Sequence, residues 1–490
     1  MLRKVRITLA SLVMLLITMM FLDFTGTLHL WLDWLAKIQF LPALLALNVG
    51  VVAVLLLFTL LLGRIYCSVI CPLGIMQDGI AHLNRKKNRY RYSPERRWLR
   101  YGVLLTFVVA LVAGATALAA LLAPYSSYGR MVQNLLQPAY VVGNNMLARI
   151  AEHYGSYAFY GREVWVRSLP TLLIALATFI IVAVLAWRGG RTYCNTLCPV
   201  GTLLSFFARF SFFKIRFDED KCKQCGKCER NCKAQAIDFK KMTVDYSRCV
   251  VCGNCLEQCA FDSLHYSLPM KKKEISKSSK DAGLGRRAFL ATAALATAGA
   301  AIAQEKKKVD GGLAAIQDKV VPERHTPITP PGSVSAANMQ QHCTACQLCV
   351  SQCPNDVLRP STALGTLMQP VMSYERGYCR PECNTCSQVC PTGAIKPITL
   401  AQKSATQVGH AVWVKKNCIV LTRGVECGNC ALHCPVGAIT MTPLSDDLDS
   451  PFVPVVNEAR CIGCGACENV CPSRPLSAIY VEGHEMHREV

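Results

Sequence analysis

The residue type that could carry chemistry in this chain is cysteine, and its spacing is regular. Of 28 cysteines, 24 fall into six groups of four beyond residue 215. Cys222, Cys225, Cys228 and Cys232 follow the pattern Cys-x-x-Cys-x-x-Cys-x-x-x-Cys. So do Cys249, Cys252, Cys255 and Cys259; Cys343, Cys346, Cys349 and Cys353; and Cys461, Cys464, Cys467 and Cys471. Two groups are variants. Cys379, Cys383, Cys386 and Cys390 have a longer first gap, and eight residues separate Cys418 from Cys427, which Cys430 and Cys434 follow. Three closely spaced thiolates can bind three irons of one cube, and the fourth cysteine can ligate the neighbouring cube of a two-cluster fold. Zinc prefers separated pairs of ligands. A secreted disulfide framework would not repeat a three-plus-one run six times. Six [4Fe–4S] clusters are therefore expected.

In the first two groups, crossed ligation places Cys222, Cys225, Cys228 and Cys259 on one cluster and Cys249, Cys252, Cys255 and Cys232 on the other. Lys233 and Ala260 stand where proline commonly follows the fourth cysteine, whereas Pro354, Pro391, Pro435 and Pro472 follow it in the later groups. Among those four later groups, pairing outer with outer and inner with inner is expected, because the two inner ones are irregular.

The remaining four cysteines lie in two near copies, YCSVICPLG (Tyr66–Gly74) and YCNTLCPVG (Tyr193–Gly201), each preceded by a Gly-Arg pair, Gly63-Arg64 and Gly190-Arg191. On a helix, residues i and i+4 share a face. Cys67 would then point with Cys71, and Cys194 with Cys198. Brought together by the duplication, they could form a shared metal or redox site. Buried thiols at helix-ending turns and a regulatory dithiol are the alternatives.

Four apolar runs are long enough to cross a bilayer: Ile7–Leu22, Leu41–Leu62, Tyr101–Leu122 and Leu169–Trp187. The first lacks a small-residue cleavage site and reads as a retained anchor. Charge is uneven. From Gln304 onward 16 Lys and Arg balance 16 Asp and Glu, so the whole net charge of +21 sits on the first 303 residues. Nine basic residues lie between Arg64 and Arg100, against Lys37 alone in the loop after the first run. This asymmetry fits membrane topology rather than nucleic-acid binding. It places the N-terminus, both Tyr-Cys copies and the first cluster pair in the cytoplasm.

Between the cysteine-rich parts, a basic Ser-rich stretch leads to Arg286-Arg287, an Ala-rich run and Ala301-Ile302-Ala303. Twin arginines, a mildly apolar segment and a small-x-small site together read as an internal twin-arginine export signal; an Ala-rich linker helix is the alternative. The expected organisation is a four-helix transmembrane domain in two pseudo-repeats (1–215), a two-cluster module of small α+β bacterial-ferredoxin type (216–268), a linker with the signal (269–303) and a four-cluster polyferredoxin (304–490).

On these motifs, residues about 1–270 resemble the NapH family of membrane iron–sulfur proteins, and residues about 286–490 resemble the exported polyferredoxins NapG and MauM. The whole is similar to a NapH–NapG fusion. The resemblance implies a quinol dehydrogenase module in the bacterial inner membrane. It would draw on the membrane quinone pool, with quinol as substrate, and pass electrons to a periplasmic reductase or cytochrome. A conduit from cytoplasmic ferredoxin to quinone, and a protein for maturation or regulation of a periplasmic redox enzyme, are the alternatives. The four runs hold no histidine for a haem, and Cys-x-x-Cys-His is absent. Glu152, His153 and Glu163, in an expected loop 124–167, are candidate proton acceptors. One gap stands out: about 30 Å of hydrocarbon would separate the two cluster-bearing parts.

Overall fold

Two of the four apolar runs form single unbroken helices in the computed structural model, which describes residues 2–23, 26–84, 90–268, 318–447 and 450–489. Leu2–Leu22 and Leu169–Gly189 are 21 residues each, long and apolar enough to cross a membrane. At 1.5 Å per residue each spans roughly 30 Å. The other two runs are broken, contrary to the expectation of four plain spans. Leu41–Leu62 divides into Phe40–Leu45 and Val49–Leu62. Leu47 turns left-handed there, and the Asn48 side chain caps the new helix by accepting from the Val51 amide at 3.2 Å. Tyr101–Leu122 divides into Arg97–Val112 and Thr116–Leu122 at Gly114, whose φ of 72° suits a glycine ending a helix. The outward faces keep large apolar side chains exposed, among them Leu12, Leu15, Phe58, Leu105, Leu173 and Ile181.

The stretch expected as a loop after Pro124 is largely helical. Pro124 opens helix Pro124–Met131, a π-helical turn follows at Val132–Leu136, and Gln137–His153 continues the rod. Pro at the first helical turn costs no hydrogen bond. The polar PYSSYGRM segment is buried throughout. It lies inside the protein because helices Pro72–Leu83, Thr116–Leu122 and Leu169–Gly189 pack around it and a cysteine-rich module closes over Gly129 and Arg130.

That packing divides the molecule into three layers. In the first ferredoxin-like module, strand Lys214–Phe217 pairs antiparallel with Leu264–Ser267, and Ile237–Asp238 with Thr243–Val244. It caps the end of the helical domain where Leu2–Leu22 begins. Tyr266 donates to the Leu62 carbonyl at 2.8 Å, and Arg3 pairs with Glu257. The second module carries three antiparallel strand pairs: Leu358–Pro360 with Pro370–Met372, Thr406–Trp413 with Ile479–Glu489, and Ile439–Pro443 with Phe452–Val456. It caps the opposite end. Gln352 Nε2 donates to the Met20 carbonyl at 2.6 Å, and Arg167 donates to the Val350 carbonyl at 2.6 Å and pairs with Asp356 at 3.0 Å. One helix, Leu2–Leu22, thus touches one module with its first turn and the other with its last. The twin-arginine segment lies outside the described residues.

Candidate functional site

The cysteine quartets form where short helices follow left-handed turns. In Cys-x-x-Cys-x-x-Cys the residues on either side of the second cysteine take positive φ: Gln224 and Gly226, Val251 and Gly253, Ala345 and Gln347, Gly463 and Gly465. Such turns aim successive backbone N–H groups inward, a cradle for an anionic group. Burial pushes the thiols of Cys228, Cys232 and Cys346 up to about 11, and that of Cys464 up to about 12. Deprotonated thiols this deep need a metal partner to be stable.

Neighbours in space fix the pairing. Cys249, Cys252 and Cys255 are joined by Cys232, as the crossed pattern requires. In the second module Cys353 lines one cavity with Cys379, Cys383 and Cys386, while Cys390 sits with Cys343, Cys346 and Cys349. Cys471 lines another cavity with Cys418, Cys427 and Cys430, and Cys434 sits with Cys461 and Cys464. Consecutive groups therefore pair, first with second and third with fourth. The expected outer-with-outer pairing is overturned, because each two-group unit closes through its own short strands. The two units meet where the Cys379 amide donates to the Cys464 carbonyl at 2.9 Å.

The four cysteines of the duplicated motif converge in the helical domain, between the two modules. Cys67, Cys71, Cys194 and Cys198 are 3, 3, 2 and 4% exposed, and Cys194 interacts electrostatically with the other three. The motif's other residues explain how. Arg64 of the first copy donates from Nη2 to the Cys194 carbonyl of the second at 3.1 Å, and Arg191 of the second copy donates to the Cys67 carbonyl of the first. The crossing is reciprocal, as a two-fold pseudo-repeat demands. The glycine after each Cys-Pro leaves room for it. A Cβ on Gly74 would lie 2.3 Å from the Cys67 carbonyl oxygen and 2.6 Å from Arg191 Nη1; on Gly201 it would lie 2.4 Å from the Cys194 oxygen and 2.7 Å from Arg64 Nη2. Sulfur acceptors are served too: Gln77 Nε2 reaches Cys194 Sγ at 3.1 Å, the Gly201 amide reaches Cys198 Sγ at 3.3 Å, and Arg64 Nη2 reaches Cys67 Sγ at 3.8 Å. Four buried thiols, donors aimed at sulfur and two buried guanidiniums suit an anionic iron–sulfur group. Among the described residues no three His, Cys, Asp or Glu side chains converge tightly enough for a single metal ion.

This core is tied to both modules. Arg64 Nη1 also donates to the Ser247 carbonyl, two residues before Cys249, at 2.9 Å. Asp78 collects Arg191 and Arg6 at 2.8 Å each and Lys233 at 3.6 Å. On the other side Tyr125 interacts with Tyr66 of the motif and with Cys346 and Cys390 of the second module. Gly129 lets helix Pro124–Met131 touch the Cys346 carbonyl, where a Cβ would come within 2.4 Å. Arg64, counted by charge among the basic residues of a cytoplasmic loop, is instead buried in the core; the duplicated Gly-Arg pair marks both arginines, whereas nothing in the sequence pattern marks Gln77 and Asp78. Glu152 and His153 sit exposed at the end of their helix, while Glu163 pairs with Arg376 at 2.7 Å.

Comparison with known proteins bears on these groups. The profile of a 4Fe-4S binding domain matches the chain twice, at residues 44–90 and 171–218, the two repeats. The only cysteines inside those ranges are Cys67 with Cys71 and Cys194 with Cys198. A second 4Fe-4S binding domain matches 214–237, and 4Fe-4S dicluster domains match 245–357 and 423–474. The methylamine utilization ferredoxin-type protein MauM of Methylobacillus flagellatus is 31% identical over 169 residues, 33% of this chain and 70% of MauM. The ferredoxin-type protein NapF of Escherichia coli is 30% identical over 158 residues, 32% of this chain and 87% of NapF. The chain belongs to this family of ferredoxin-type 4Fe–4S proteins. Escherichia coli YccM is a further family relative, 29% identical over 193 residues, 39% of this chain; the chain spans about half of YccM, 47%. As a family member the chain is an iron–sulfur electron-transfer protein with several 4Fe–4S clusters.

Proposed function

We propose that this ferredoxin-type protein carries electrons through a bacterial inner membrane, taking them from quinol and delivering them to a periplasmic reductase or cytochrome. The observation that carries the reading is the buried quartet Cys67, Cys71, Cys194 and Cys198, held between two cysteine-rich modules at opposite ends of the 21-residue helix Leu2–Leu22. Four spans, two of them broken, then form the membrane domain, with the N-terminus and the first module on the cytoplasmic side. The second module lies in the periplasm after export directed by Arg286-Arg287. Six quartets hold [4Fe–4S] clusters, and the core quartet holds a further iron–sulfur centre that divides the crossing of roughly 30 Å.

The bound clusters supply one-electron storage and transfer. The chain's own residues do the rest. Arg64 and Arg191 offset negative charge at the core, and the close apolar packing around it keeps water out. Replacing Cys67 and Cys198 by Ser should remove one cluster's worth of iron per chain. It should also slow electron passage from a reductant on the first module's side to an acceptor on the other by more than about tenfold. Unchanged iron content would end the core-centre reading. A reporter after Val490, with and without Arg286-Arg287→Lys-Lys, tests the side on which the second module stands.

One observation favours the reverse flow, from a cytoplasmic donor to quinone. Cys225 is exposed and surrounded in sequence by exposed Lys221, Lys223 and Lys227, a basic face suited to an acidic ferredoxin. Cluster potentials far below that of quinone would support it.

A further inference from the structure

A cavity of about 160 Å³ opens where the helical domain meets the second module. Its walls include Gln133, Gln137, Val141, Trp165, Leu172 and Asp356. Three features set it apart. Gln133 is only 4% exposed, yet its Oε1 has no hydrogen-bond partner, and it lines the cavity. An orphaned buried acceptor is costly unless something donates to it. Gln133 sits in the π-helical turn Val132–Leu136, and such turns recur at functional sites because they redirect side chains. The aromatic wall is polarised: the guanidiniums of Arg359, Arg376 and Arg167 lie 4.4, 4.8 and 5.9 Å from the Trp165 ring.

The second module contributes one wall residue, Asp356, three residues after Cys353 of a cysteine quartet. Asp356 donates its amide to the Cys353 carbonyl at 3.4 Å, and its carboxylate is held by Arg167 at 3.0 Å and Arg162 at 3.7 Å. Exposed Val166 lines the cavity, exposed Leu136 lies next in sequence to the lining residue Gln137, and exposed Leu169 lies close in sequence to the lining residue Arg167. The cavity therefore joins a greasy exterior to a cluster-bearing loop, with an unmet acceptor between.

We infer that this cavity is the binding site for the hydroquinone ring, entered from the lipid and read out by the quartet Cys353, Cys379, Cys383 and Cys386; the inference rests on the quinol reading above. Gln133 Oε1 accepts a hydrogen bond from one hydroxyl, and the Asp356 carboxylate accepts from the other. Trp165, its face covered by the guanidiniums, meets the ring with its edge, and the isoprenoid tail runs out past Val166. On oxidation the two O–H bonds break. Both protons pass to water at the mouth beside Glu163, which is 78% exposed on its side chain. The two electrons would leave singly to a cluster held by Cys353, Cys379, Cys383 and Cys386 and on to the periplasmic acceptor, so quinol feeds the second module directly and the core quartet serves electrons that enter from the first module.

The test uses the cluster-loaded full chain in lipid nanodiscs, with decylubiquinol as reductant and an azidoquinone as photolabel. Hydroquinone should bleach the wild-type clusters, and the label should fall on peptides covering residues 133–141 and 162–172. Gln133→Leu should raise KM for decylubiquinol about tenfold, the loss of one good hydrogen bond. Trp165→Leu should weaken labelling by a similar factor. Both should leave reduction by dithionite and the EPR spectra unchanged, which separates a binding role from misfolding. Glu152→Gln should behave as wild type. If hydroquinone bleaches the clusters but the label falls elsewhere, or if both variants keep KM within twofold, this site assignment is overturned while the quinol reading stands. If hydroquinone fails to bleach clusters that dithionite reduces, the quinol reading falls and this inference with it.

Discussion

Replacing Gly74 or Gly201 by Ala adds a single methyl group, yet each should damage the core of the helical domain. The added Cβ on Gly74 would stand 2.3 Å from the Cys67 carbonyl oxygen and 2.6 Å from Arg191 Nη1, where ordinary contact begins at 3.4 Å. Something must move by about 1 Å, and the obstacle is backbone rather than the free end of a side chain. Overpacking of this kind costs about 1–3 kcal/mol. Displacing the guanidinium from the carbonyl it serves adds the loss of a charged hydrogen bond, about 1.5–3 kcal/mol. The sum is roughly 2.5–6 kcal/mol for either glycine, because Gly201 faces the matching pair, the Cys194 oxygen at 2.4 Å and Arg64 Nη2 at 2.7 Å. The double variant should cost less than the two singles together, since both press on one crossed pair. Gly79 is the control. It lies in helix Pro72–Leu83 with nothing within 4 Å of its would-be Cβ, so Gly79→Ala should stabilise by up to about 1 kcal/mol. Thermal melting of the full chain in detergent, followed alongside iron content, reads all three. If Gly74→Ala and Gly201→Ala melt at or above wild type with full iron, the reciprocal crossing does not hold the core.

Three further outcomes follow from the modules. Cys390→Ser should alter the same EPR signal as Cys343→Ser, and Cys353→Ser the same as Cys379→Ser; a shared signature for Cys353 and Cys461 variants would restore the outer-with-outer pairing. Glu468 is almost fully buried and takes hydrogen bonds from Arg324 at 2.6 Å and the Val481 amide at 2.8 Å, so Arg324→Ala strands a buried charge and should cost about 3–5 kcal/mol, while Arg324→Met with Glu468→Gln should cost less in chemical denaturation. His487, hydrogen-bonded to Thr329 at 2.9 Å, is brought down to about 4 by burial and by nearby His484. The unfolded chain then binds a proton between about pH 6.5 and 4 that the folded chain does not. This contribution is complete above pH 6.5 and is lost as pH falls toward 4, on the order of 2 kcal/mol for a partly exposed ring. His487→Asn should flatten the difference in melting temperature between pH 7.5 and pH 5, and an unchanged slope would place the acid sensitivity elsewhere.

Much of the candidate chemistry was legible in the sequence because it is written in covalent spacing. Three cysteines in seven residues cannot avoid meeting once the intervening residues turn left-handed, as Gln224 and Gly226 do. What spacing does not encode is which quartet a fourth cysteine joins, so Cys353 and Cys390 were assigned to the wrong partners until the strands closed around them. The helix breaks at Leu47 and Gly114 were hidden for a similar reason. Hydropathy registers an apolar run whether or not it bends, and the cap at Asn48 is one polar residue in a greasy stretch. PYSSYGRM read as a loop because its side chains are polar. They are buried because helices Pro72–Leu83, Thr116–Leu122 and Leu169–Gly189 surround them and the second module closes over Gly129 and Arg130, and no local pattern reports that.

Lys233 shows how an anomaly in sequence becomes a contact in space. It stands where proline usually follows the fourth cysteine. Its carbonyl accepts the Arg191 amide at 2.9 Å, and its ammonium reaches Asp78 at 3.6 Å. A Cβ on Gly190 would lie 2.6 Å from that same carbonyl, so the backbones of module and helical domain meet here directly. A proline would keep the carbonyl but lose the charge, and Asp78 would hold two cations instead of three. The first module is thereby fastened to the Gly-Arg pair that also crosses over the core thiols. The same residues that dock the module position the cysteines, so the distance between the Cys249 quartet and the core quartet is set by one short chain of contacts: Ser247, Arg64, Cys67. Under the proposed core centre, holding that spacing fixed is what two fully buried arginines would contribute at a place where apolar side chains would pack more cheaply.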